Sequence, residues 1–565
     1  MKPTSRDTPE RMLSKKVPTV TVVLFSLFSV LSTVGAAPSY RPEKARRSLN
    51  TDQYSLSIQK NNQVDIYTTN GVPIVDNAFP AITFVGKAPR PLKVDYRQST
   101  RVGISNALGK GNGLLFQTTE CEWRIATYPG QPFITVDLTY TNTTRKPVQI
   151  SALIPWTIGE RGKGAVFVGP AGVGKVALLQ NATAADPHAR IVNSTERSPG
   201  HVAARNRSTG DVFVAGFISH GGGERYLRLA EGGGGGSGLF RQFSAVCAYD
   251  PPVVLNPGER LQADTLYLSI QETSLPDALR RFILASKRVD RFASLPSAYR
   301  HGWNAGASAD LDEATVRATM ERLAAGGAEP GCSHVHLGKA WMLNPETLEL
   351  DKKRFPDGLA PLAEHAHGLG LTMGMTVPLL PLDLATLSAF VSACDGWGVD
   401  SIELEYTVGM AGTDGVAIHP SQLRDALKDG EYRGRRPVYV RPVMGGGFGL
   451  LDWARTSRQF YLPPSGNPLL TASGATILQD GSGLTDGAFV TAFSLAAMTG
   501  ANLRPTTPFS DQSRMRRNVL ARLVPEYKYP ALPVDLLQKT APRQWYLPLK
   551  TEAGTWTIAG LFNWD

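Results

Sequence analysis

Cysteine is scarce in this sequence of 565 residues, which contains four: Cys121, Cys247, Cys332 and Cys394. Their wide spacing leaves no Cys-x-x-Cys motif, so the sequence does not indicate a zinc site or a dithiol redox site. The same spacing permits zero to two disulfides and fixes no pairing. Charged residues make up only 19% of the chain and apolar residues 42%, which is typical of a globular protein rather than a disordered one.

Positive charge is also limited outside the N-terminus. The formal net charge is +10, but the first 47 residues carry nine Lys or Arg against three Asp or Glu. The remainder therefore has a net charge of only about +4. Neither zinc-finger spacing nor interleaved aromatic and basic residues are present, so we do not expect a nucleic-acid partner.

The basic N-terminus precedes an apolar run over 17–37 that ends in small residues at Gly35, Ala36 and Ala37. This pattern predicts a signal peptide over 1–37, cleaved near Ala36 or Ala37, and a secreted protein without membrane association after cleavage. The alternative is an uncleaved signal anchor, since about 20 apolar residues span a bilayer. Ser and Thr interrupt the run, which favours cleavage.

Four Asn-x-Ser/Thr acceptors follow within one 65-residue window, at Asn142, Asn181, Asn193 and Asn206. Behind a signal-like segment, such a cluster predicts a glycosylated, secreted surface. A near match to a nucleotide-binding P-loop covers 169–176, but Val176 stands where the magnesium-binding Ser or Thr belongs. We therefore expect no cofactor.

Two to four domains are expected from the length. Strand-like segments separated by Asn, Gly and Pro predict a large antiparallel β-sandwich over 38–275. The clearest of these strands are 63–68, 133–140, 148–154, 212–218 and 260–270. Two further strands, 545–549 and 555–562, predict a short C-terminal β element over 531–565.

Strands and helices alternate over 276–530, which predicts a (β/α)8 TIM barrel. The predicted strands are 301–304, 334–338, 371–377, 401–407, 437–443, 475–479 and 501–504. One predicted helix is capped by Asp312, one begins near Leu359, and others cover 383–394 and 486–498. The predicted architecture is thus multidomain, with the sandwich first, the barrel in the centre and the short β element last.

Two carboxylates mark the fourth predicted barrel strand. Glu403 and Glu405 lie two residues apart, so in a strand they occupy the same face. Burying two carboxylates on one face is costly without a partner or a function. Catalytic acids of barrel enzymes lie at the carboxyl ends of strands, so the pair is a candidate active site.

Several segments together resemble α-galactosidases of glycoside hydrolase families 27 and 36. They are Arg-Phe-Pro-Asp-Gly-Leu at 354–359, His-Gly-Leu-Gly-Leu-Thr-Met-Gly at 367–374, Gly-Val-Asp-Ser-Ile-Glu-Leu-Glu at 398–405, the late block around 483–504 and Leu-Phe-Asn-Trp at 561–564. The resemblance covers roughly 270–565, and the sandwich before the barrel favours family 36. It implies a glycosidase that acts on an oligosaccharide or glycoside.

The catalytic positions implied by the resemblance are substituted. The nucleophilic aspartate falls on Glu405, and the preceding lysine falls on Glu403. The general acid/base of Arg-x-x-x-Asp falls on Gln459, after Arg455, and glutamine does not titrate. Of the Asp-Asp-Gly-Trp motif that binds galactose hydroxyls, Gly-Lys-Ala-Trp at 338–341 retains only the tryptophan.

Two hypotheses therefore remain open. In the first, the protein is an active glycosidase with Glu405 as nucleophile, and its acid is Asp480, Asp452 or Glu403. Lys339 and Arg458 then favour an acidic or modified sugar. In the second, it is an inactive secreted carbohydrate-binding relative. The expected substrate-binding residues are Trp303, Lys339, Trp341 and Arg455, with the two tryptophans as stacking platforms for sugar rings.

Overall fold

A computed structural model describes most of the chain between residues 47 and 562. The described residues are 47–59, 63–95, 97, 99–158, 164–169, 176–180, 190–192, 194–219, 224–231, 239–270, 272–290, 302–305, 311–325, 333–344, 347–378, 389–390, 393–394, 396–407, 439–445, 475–476, 485–498, 502–504, 511–523, 531–535, 543–551 and 554–562. The predicted signal peptide and the acceptors Asn181 and Asn193 lie outside these residues.

The N-terminal half forms two antiparallel sheets of ten strands each. The strands are β1 Arg47–Asn50, β2 Tyr54–Ile58, β3 Val64–Thr68, β4 Pro73–Phe84, β5 Arg90–Pro91, β6 Ser99–Asn106, β7 Gly109–Gln117, β8 Cys121–Thr127, β9 Phe133–Thr141, β10 Val148–Ile158, β11 Ala165–Phe167, β12 Val176–Gln180, β13 Arg190–Val192, β14 Thr195–Pro199, β15 His201–Asn206, β16 Val212–Phe217, β17 Glu224–Glu231, β18 Leu239–Leu255, β19 Arg260–Gln262 and β20 Leu266–Ser269. The first sheet has the order β1-β2-β3-β4-β10-β18-β17-β14, and β5 and β11 pair at its side. The second has the order β13-β12-β15-β16-β20-β9-β8-β7-β6, and β19 pairs with β9.

Strand periodicity explains how the second sheet is buried on both faces. In β9, Ile134, Val136 and Leu138 enter the core shared with the first sheet, whereas Phe133 enters a second cluster on the other face. Between the sheets, the Trp123 and Trp156 rings lie 5.7 Å apart. The indole nitrogen of Trp123 donates a 2.9 Å hydrogen bond to the carbonyl of Pro155, so the two sheets are joined by packing and by a buried polar contact.

Helix α1 (Leu275–Asp290) covers the outer face of the second sheet. The Ser274 hydroxyl accepts a 3.4 Å hydrogen bond from the Asp277 backbone N–H, as expected of an N-cap. Leu275, Ala278 and Phe282 recur at helical spacing and are buried against the sheet. The predicted boundary near residue 275 thus adjoins a helix that packs on the sandwich; the domain limits themselves stay predictions.

One sequence expectation changes in this half, and the rejection of a P-loop gains support. The predicted strand over 260–270 is two strands, β19 and β20, because the intervening Asp264 turns inward and its Oδ2 lies 3.7 Å from Nε of the buried Arg225. At the P-loop-like segment, Val176 begins strand β12, whereas a P-loop is followed by a helix.

The glycosylation pattern also changes at two of its four positions. Asn142 and Asn206 are buried. The Asn142 amide nitrogen donates to the carbonyls of Lys146 at 2.9 Å and Leu255 at 2.8 Å. That of Asn206 donates to the carbonyl of Val168 at 2.7 Å. Each side-chain oxygen also accepts a backbone N–H two residues ahead, so these two motifs form Asx turns.

The C-terminal half contains a parallel sheet. Its strands are β21 Gly302–Asn304, β22 His334–His336, β25 Thr372–Pro378, β26 Ser401–Thr407 and β27 Tyr439–Gly445, paired in that order. A hairpin of β23 Met342–Asn344 and β24 Glu349–Leu350 follows β22. Helix α2 (Glu313–Ala325) lies between β21 and β22 in sequence, and α3 (Leu359–Gly368) lies between β24 and β25. These five strands occur where the sequence predicts them.

Later in the chain, β28 Ala475–Thr476 pairs in parallel with β29 Asn502–Leu503 across helix α4 (Asp486–Met498). Helix α5 (Arg514–Leu523) follows. A terminal antiparallel sheet contains β30 Leu532–Pro533, β31 Gln544–Thr551 and β32 Gly554–Leu561. Its Trp545 and Leu547 join the cluster beneath α1. No helix among the described residues is long and apolar enough to cross a membrane.

Candidate active site

The carboxylate pair of the sequence analysis lies on the fourth parallel strand, as predicted. Glu403 and Glu405 belong to β26, and Glu405 is the third residue from its end. The register pairs Glu403 with Thr376 on one side and Arg441 on the other. It pairs Glu405 with Pro378 and Val443. The strand position is confirmed, and the catalytic role of Glu405 stays a prediction.

The parallel sheet has one apolar face. Val335 of β22, Met373 and Met375 of β25, and Ile402 of β26 alternate along their strands and are buried. They pack with the apolar side of α2, which includes Val316, and with that of α3. Because side chains alternate along a strand, the residues between these apolar positions lie on the opposite face of the sheet.

The opposite face is polar, where barrel interiors usually hold branched apolar side chains. His334 and His336 lie on β22, with ring centroids 5.9 Å apart. His336 Nε2 is 2.9 Å from the Thr376 hydroxyl. His334 Nδ1 is 2.9 Å from the Thr372 hydroxyl, and its Nε2 is 3.4 Å from the Ser401 hydroxyl. Hydrogen bonds thus connect β22, β25 and β26 on the face that carries the Glu403 and Glu405 positions.

The protonation of His334 follows from its neighbours. The Thr372 hydroxyl donates to the Ser333 carbonyl at 3.3 Å, so it accepts from His334 Nδ1–H, and Nε2 then accepts from Ser401. Complete burial lowers the pKa of His334 well below its usual value, and the charges of Arg504 and His336 act in the same direction. His334 is therefore neutral at physiological pH.

Two glycines make room for this arrangement. A Cβ at Gly374 would lie 2.2 Å from the Ser401 hydroxyl oxygen and 2.7 Å from His334 Nε2. A Cβ at Gly302 would lie 1.7 Å from the His334 carbonyl oxygen. Glycine usually weakens the interior of a strand. Its presence at Gly302 and Gly374 indicates that atoms of the neighbouring strands come too close to leave room for a side chain.

The two predicted stacking tryptophans are buried in this structure. Trp341 is 0% exposed, its ring stacks on Phe390 with centroids 5.4 Å apart, and its Nε1 donates to the Thr376 carbonyl at 3.2 Å. Trp303 joins the apolar cluster beneath the helices. Neither ring presents an open face to a sugar here, because each is used in packing; this differs from the predicted platform role.

Lys339 is exposed in the turn that follows β22, where Gly338 adopts a φ of 58°. Among the predicted site residues, Arg455, Gln459 and Asp480 lie outside the described residues, as do Asp452 and Arg458. Over the described part of the chain, no group of three or more His, Cys, Asp or Glu side chains is arranged to hold a metal ion.

Sequence reasoning did not identify His334 and His336 as members of this face. A signal for the histidines exists, because His-Val-His at 334–336 and Thr-Met-Gly-Met-Thr at 372–376 alternate polar or small residues with apolar ones.

Comparisons with known proteins agree with the sequence resemblance. No protein-family model matches the chain. α-Galactosidase A of Cellvibrio japonicus (strain Ueda107) is 21% identical over 180 residues, which is 30% of this chain. The match spans only 43% of that curated relative.

Solved structures match over most of the chain. A family 36 α-galactosidase from Geobacillus stearothermophilus in complex with 1-deoxygalactonojirimycin superimposes with a TM-score of 0.62 and 10% identity, covering 90% of each chain. The α-galactosidase from Lactobacillus brevis gives a TM-score of 0.56 and 11% identity, covering 85% of this chain and 82% of that one. A β-arabinopyranosidase gives 0.54 and 9%, covering 91% and 90%. The chain thus has the fold of family 36 α-galactosidases, and the predicted resemblance is confirmed at that level.

Proposed function

We propose that this protein is a secreted glycoside hydrolase whose active site lies at the carboxyl end of the parallel sheet, within a closed (β/α)8 barrel. The observation that carries the proposal is Glu405, on the fourth parallel strand of a chain with an α-galactosidase fold. Barrel enzymes place their catalytic groups at this end. The polar face beneath Glu405 supports the same location.

The substrate class is an oligosaccharide or a simple glycoside. A family 36 α-galactosidase with the same fold was crystallised with raffinose, which supports a carbohydrate ligand for this chain. No cofactor is required, because carboxylate pairs suffice for glycoside hydrolysis. The basic N-terminus and the apolar run over 17–37 support export through a signal peptide.

In the proposed reaction, Glu405 attacks the anomeric carbon and a protonated acid gives its proton to the departing glycosidic oxygen. Water then releases the sugar from Glu405, and the same acid, now a base, accepts the proton of that water. Glu403 is a poor acid for this purpose, because strand neighbours about 6.6 Å apart rise from one side of the sugar. We propose Asp480 or Asp452 for this role, and Arg455 as a substrate-binding residue.

The experiment that tests the proposal is Glu405→Gln, which removes the charge with little change in volume. We expect turnover of an aryl glycoside by wild type to fall by orders of magnitude. Glu349→Gln is the matched control, because Glu349 is exposed on the β23–β24 hairpin, and it should retain wild-type turnover. An active wild type that tolerates Glu405→Gln contradicts the assignment.

A second function is favoured by Gln459, which occupies the acid/base position of the resembled family. Without that acid, the protein is a carbohydrate-binding relative that does not turn over glycosides. Sugar binding by calorimetry without turnover of any glycoside supports this function. In that case Gln459→Asp restores a titratable group, and general acid catalysis contributes about 10²–10⁴-fold, so a trace of hydrolysis should appear.

Specificity is predicted from Lys339, which is exposed after β22. An ammonium group donates hydrogen bonds and accepts none, so it does not replace an acid that binds galactose hydroxyls. We expect weak or absent turnover of an aryl α-galactoside and preference for an aryl α-galacturonide, whose carboxylate pairs with Lys339. Lys339→Asp should raise KM for the galacturonide. Efficient cleavage of the α-galactoside by wild type contradicts this prediction.

A further inference from the structure

The turn that follows β22 carries Lys339, the candidate sugar-binding residue, at the carboxyl end of the parallel sheet. β22 ends at His336, and Gly338, with a φ of 58°, turns the chain away from the sheet. Glycine adopts a positive φ of this size without strain. Lys339 is exposed, whereas Gly338 before it and Trp341 two residues after it are buried. The exposed lysine thus stands between two buried residues of one short turn.

One residue of β25 binds both ends of this turn through its backbone. The Thr376 N–H donates to the Gly338 carbonyl at 2.9 Å. The Thr376 carbonyl accepts the indole N–H of Trp341 at 3.2 Å. The Thr376 hydroxyl also lies 2.9 Å from Nε2 of His336, the last residue of β22. Lys339 therefore lies between two residues that are hydrogen-bonded to the backbone of the same threonine.

The indole replaces a backbone donor that β22 no longer provides. In a parallel ladder, the Thr376 carbonyl would accept a backbone N–H from a neighbouring strand that continued. The chain has turned at Gly338, however, and the Ala340 N–H donates to the Leu337 carbonyl at 3.4 Å. Carbonyl groups inside a protein need a hydrogen-bond donor, and the Trp341 N–H supplies it. Phenylalanine would fill much of the same space without this donor.

The Trp341 ring is itself held in place by packing. It is 0% exposed and stacks on Phe390, with ring centroids 5.4 Å apart and planes inclined by 22°. The Trp341 carbonyl accepts the backbone N–H of Asp351 at 3.0 Å, which binds the residue to the segment after β24. A residue that positions another group does so best when its own rotamer is locked by packing. Trp341 meets this condition.

We propose that Trp341 is a positioning residue for Lys339: its indole N–H closes the turn on Thr376 and fixes Lys339 where its ammonium group pairs with the carboxylate of an acidic sugar. The inference rests on the proposed function, since it requires that Lys339 contacts the sugar. Thr376 is the register partner of Glu403, so the turn is bound at the same level of the sheet as the candidate carboxylates. The preference for an acidic sugar then depends on a tryptophan that does not touch the sugar.

The test is Trp341→Phe, which keeps an aromatic ring against Phe390 and removes the N–H. Calorimetry with D-galacturonate and D-galactose measures the preference as the ratio of the two dissociation constants. We expect Trp341→Phe to weaken galacturonate binding by about 2–5-fold, the range of an exposed ion pair, and to leave galactose binding unchanged. An unchanged ratio overturns the proposal.

A double-mutant cycle with Lys339→Met shows whether the tryptophan acts through the lysine. In the Lys339→Met background, Trp341→Phe should not weaken galacturonate binding further, because no ammonium group remains to be positioned. Losses of affinity that add in the double variant contradict the proposal.

Trp123→Phe is the matched control for the loss of an indole hydrogen bond. Trp123 is also buried, and its N–H donates to the Pro155 carbonyl at 2.9 Å within the sandwich. Both variants should lower the melting temperature, but only Trp341→Phe should change the ratio of dissociation constants. An equal change in both variants assigns the effect to general loss of stability and overturns the proposal.

Hydrogen exchange measures the state of the turn without any ligand. A peptide covering 337–342 contains the Met342 N–H, which donates to the Lys339 carbonyl at 3.2 Å. Its exchange should be faster in Trp341→Phe and unchanged in Trp123→Phe; equal rates in all three proteins overturn the proposal. If Trp341→Phe yields no folded protein, 3-benzothienylalanine in place of Trp341 provides the same comparisons, because sulfur replaces the N–H in a ring of nearly the same size.

Failure of the inference and failure of the proposed function give different results. If wild type binds neither sugar and hydrolyses no glycoside, the proposed function fails, and the role of Trp341 in specificity fails with it. If wild type prefers galacturonate and Lys339→Met abolishes the preference, but Trp341→Phe retains it, the inference alone is wrong. If wild type binds both sugars equally, the specificity assigned to Lys339 is wrong and so is the inference.

Discussion

Two aspartates on neighbouring strands of the N-terminal sheet interact, one of them buried and the other half-buried. Asp65 on β3 accepts hydrogen bonds from the Tyr67 hydroxyl at 2.9 Å, the Asn77 backbone N–H at 2.8 Å and the Gln59 amide. The pKa of Asp76 on β4 is raised to about 6, chiefly by burial and then by the charge of Asp65 and a hydrogen bond between the two carboxyls. Asp76 therefore holds its proton to a higher pH than an ordinary aspartate does.

This arrangement predicts pH-dependent stability with a defined sign. Asp76 has a higher pKa when folded, about 6, than its ordinary value of 3.8. Its stabilising protonation is fully present below about pH 4 and is lost as pH rises through about 6. Asp76→Asn keeps a neutral group at all pH, so wild type should lose melting temperature relative to Asp76→Asn between pH 5 and pH 7.5. The exposed Asp52 provides the control: Asp52→Asn should follow wild type, and parallel curves for all three proteins contradict the prediction.

The glycosylation motifs give a second prediction for single residues. A glycan attaches to the asparagine amide nitrogen, and in Asn142 and Asn206 this atom is buried and donates to backbone carbonyls. We expect glycopeptide mapping of folded protein expressed through a eukaryotic secretory pathway to find glycans only at Asn181 or Asn193. A glycan on Asn142 in folded protein contradicts the assignment of that motif to an Asx turn.

Single residues also show the limits of pattern reasoning. The strand position of Glu405 was predictable, because alternation along a strand is local. The burial of Trp341 was not, since it depends on Phe390 and on the Thr376 carbonyl, which are distant in sequence. An Asn-x-Thr motif likewise does not reveal whether its amide already has backbone partners, as that of Asn142 does.

At the scale of elements, contact between α1 and the second sheet depends on one glycine. A Cβ at Gly216 in β16 would lie 2.2 Å from Phe282 Cζ and 2.7 Å from His201 Cβ. Glycine at this position therefore allows the Phe282 ring to approach the strand. Helix α1 packs close to the second sheet because Gly216 leaves space that the Phe282 ring occupies.

We predict that Gly216→Ala destabilises the protein by about 1–3 kcal/mol, the usual cost of overpacking. Denaturant unfolding followed by tryptophan fluorescence measures the change. Gly103→Ala in the edge strand β6 is the matched control, because nothing lies within 4 Å of its added Cβ. Adding Phe282→Leu to Gly216→Ala should recover part of the loss. Equal stability of Gly216→Ala and Gly103→Ala refutes the packing argument.

Most individual strands and helices were predictable from local patterns, but their neighbours were not. Helix α1 has its Ser274 cap and its apolar spacing within one segment of the sequence. The pairing of β10 with both β4 and β18 joins residues about 65 to 107 positions apart in the sequence. Neither segment contains a local sequence pattern that identifies such a distant partner. The order of the strands in the sheet was therefore not predictable from the sequence and is known from the structure.

At the scale of the whole molecule, the candidate site depends on whether the parallel sheet closes. The five strands β21, β22, β25, β26 and β27 form one continuous parallel set, and β28 and β29 form a separate pair. In a closed barrel the last strand pairs with the first, which places β29 beside β21.

Closure predicts a specific cross-link between the first and last parallel strands. Cysteine at Asn304 of β21, combined with cysteine at Asn502 or Leu503 of β29, should form a disulfide in one of the two pairs, because adjacent strand residues occupy opposite faces. The native cysteines are replaced by alanine in all variants. Disulfides require Cα atoms within about 7 Å of each other. The positive control is a cysteine pair at Ser48 and Ser57, which are register partners in β1 and β2. The negative control is a cysteine pair at Asn304 and the exposed Lys110 of β7. A disulfide in the positive control and in neither β21–β29 pair shows that the sheet is open, and an open sheet contradicts the closed (β/α)8 barrel on which the proposed function depends.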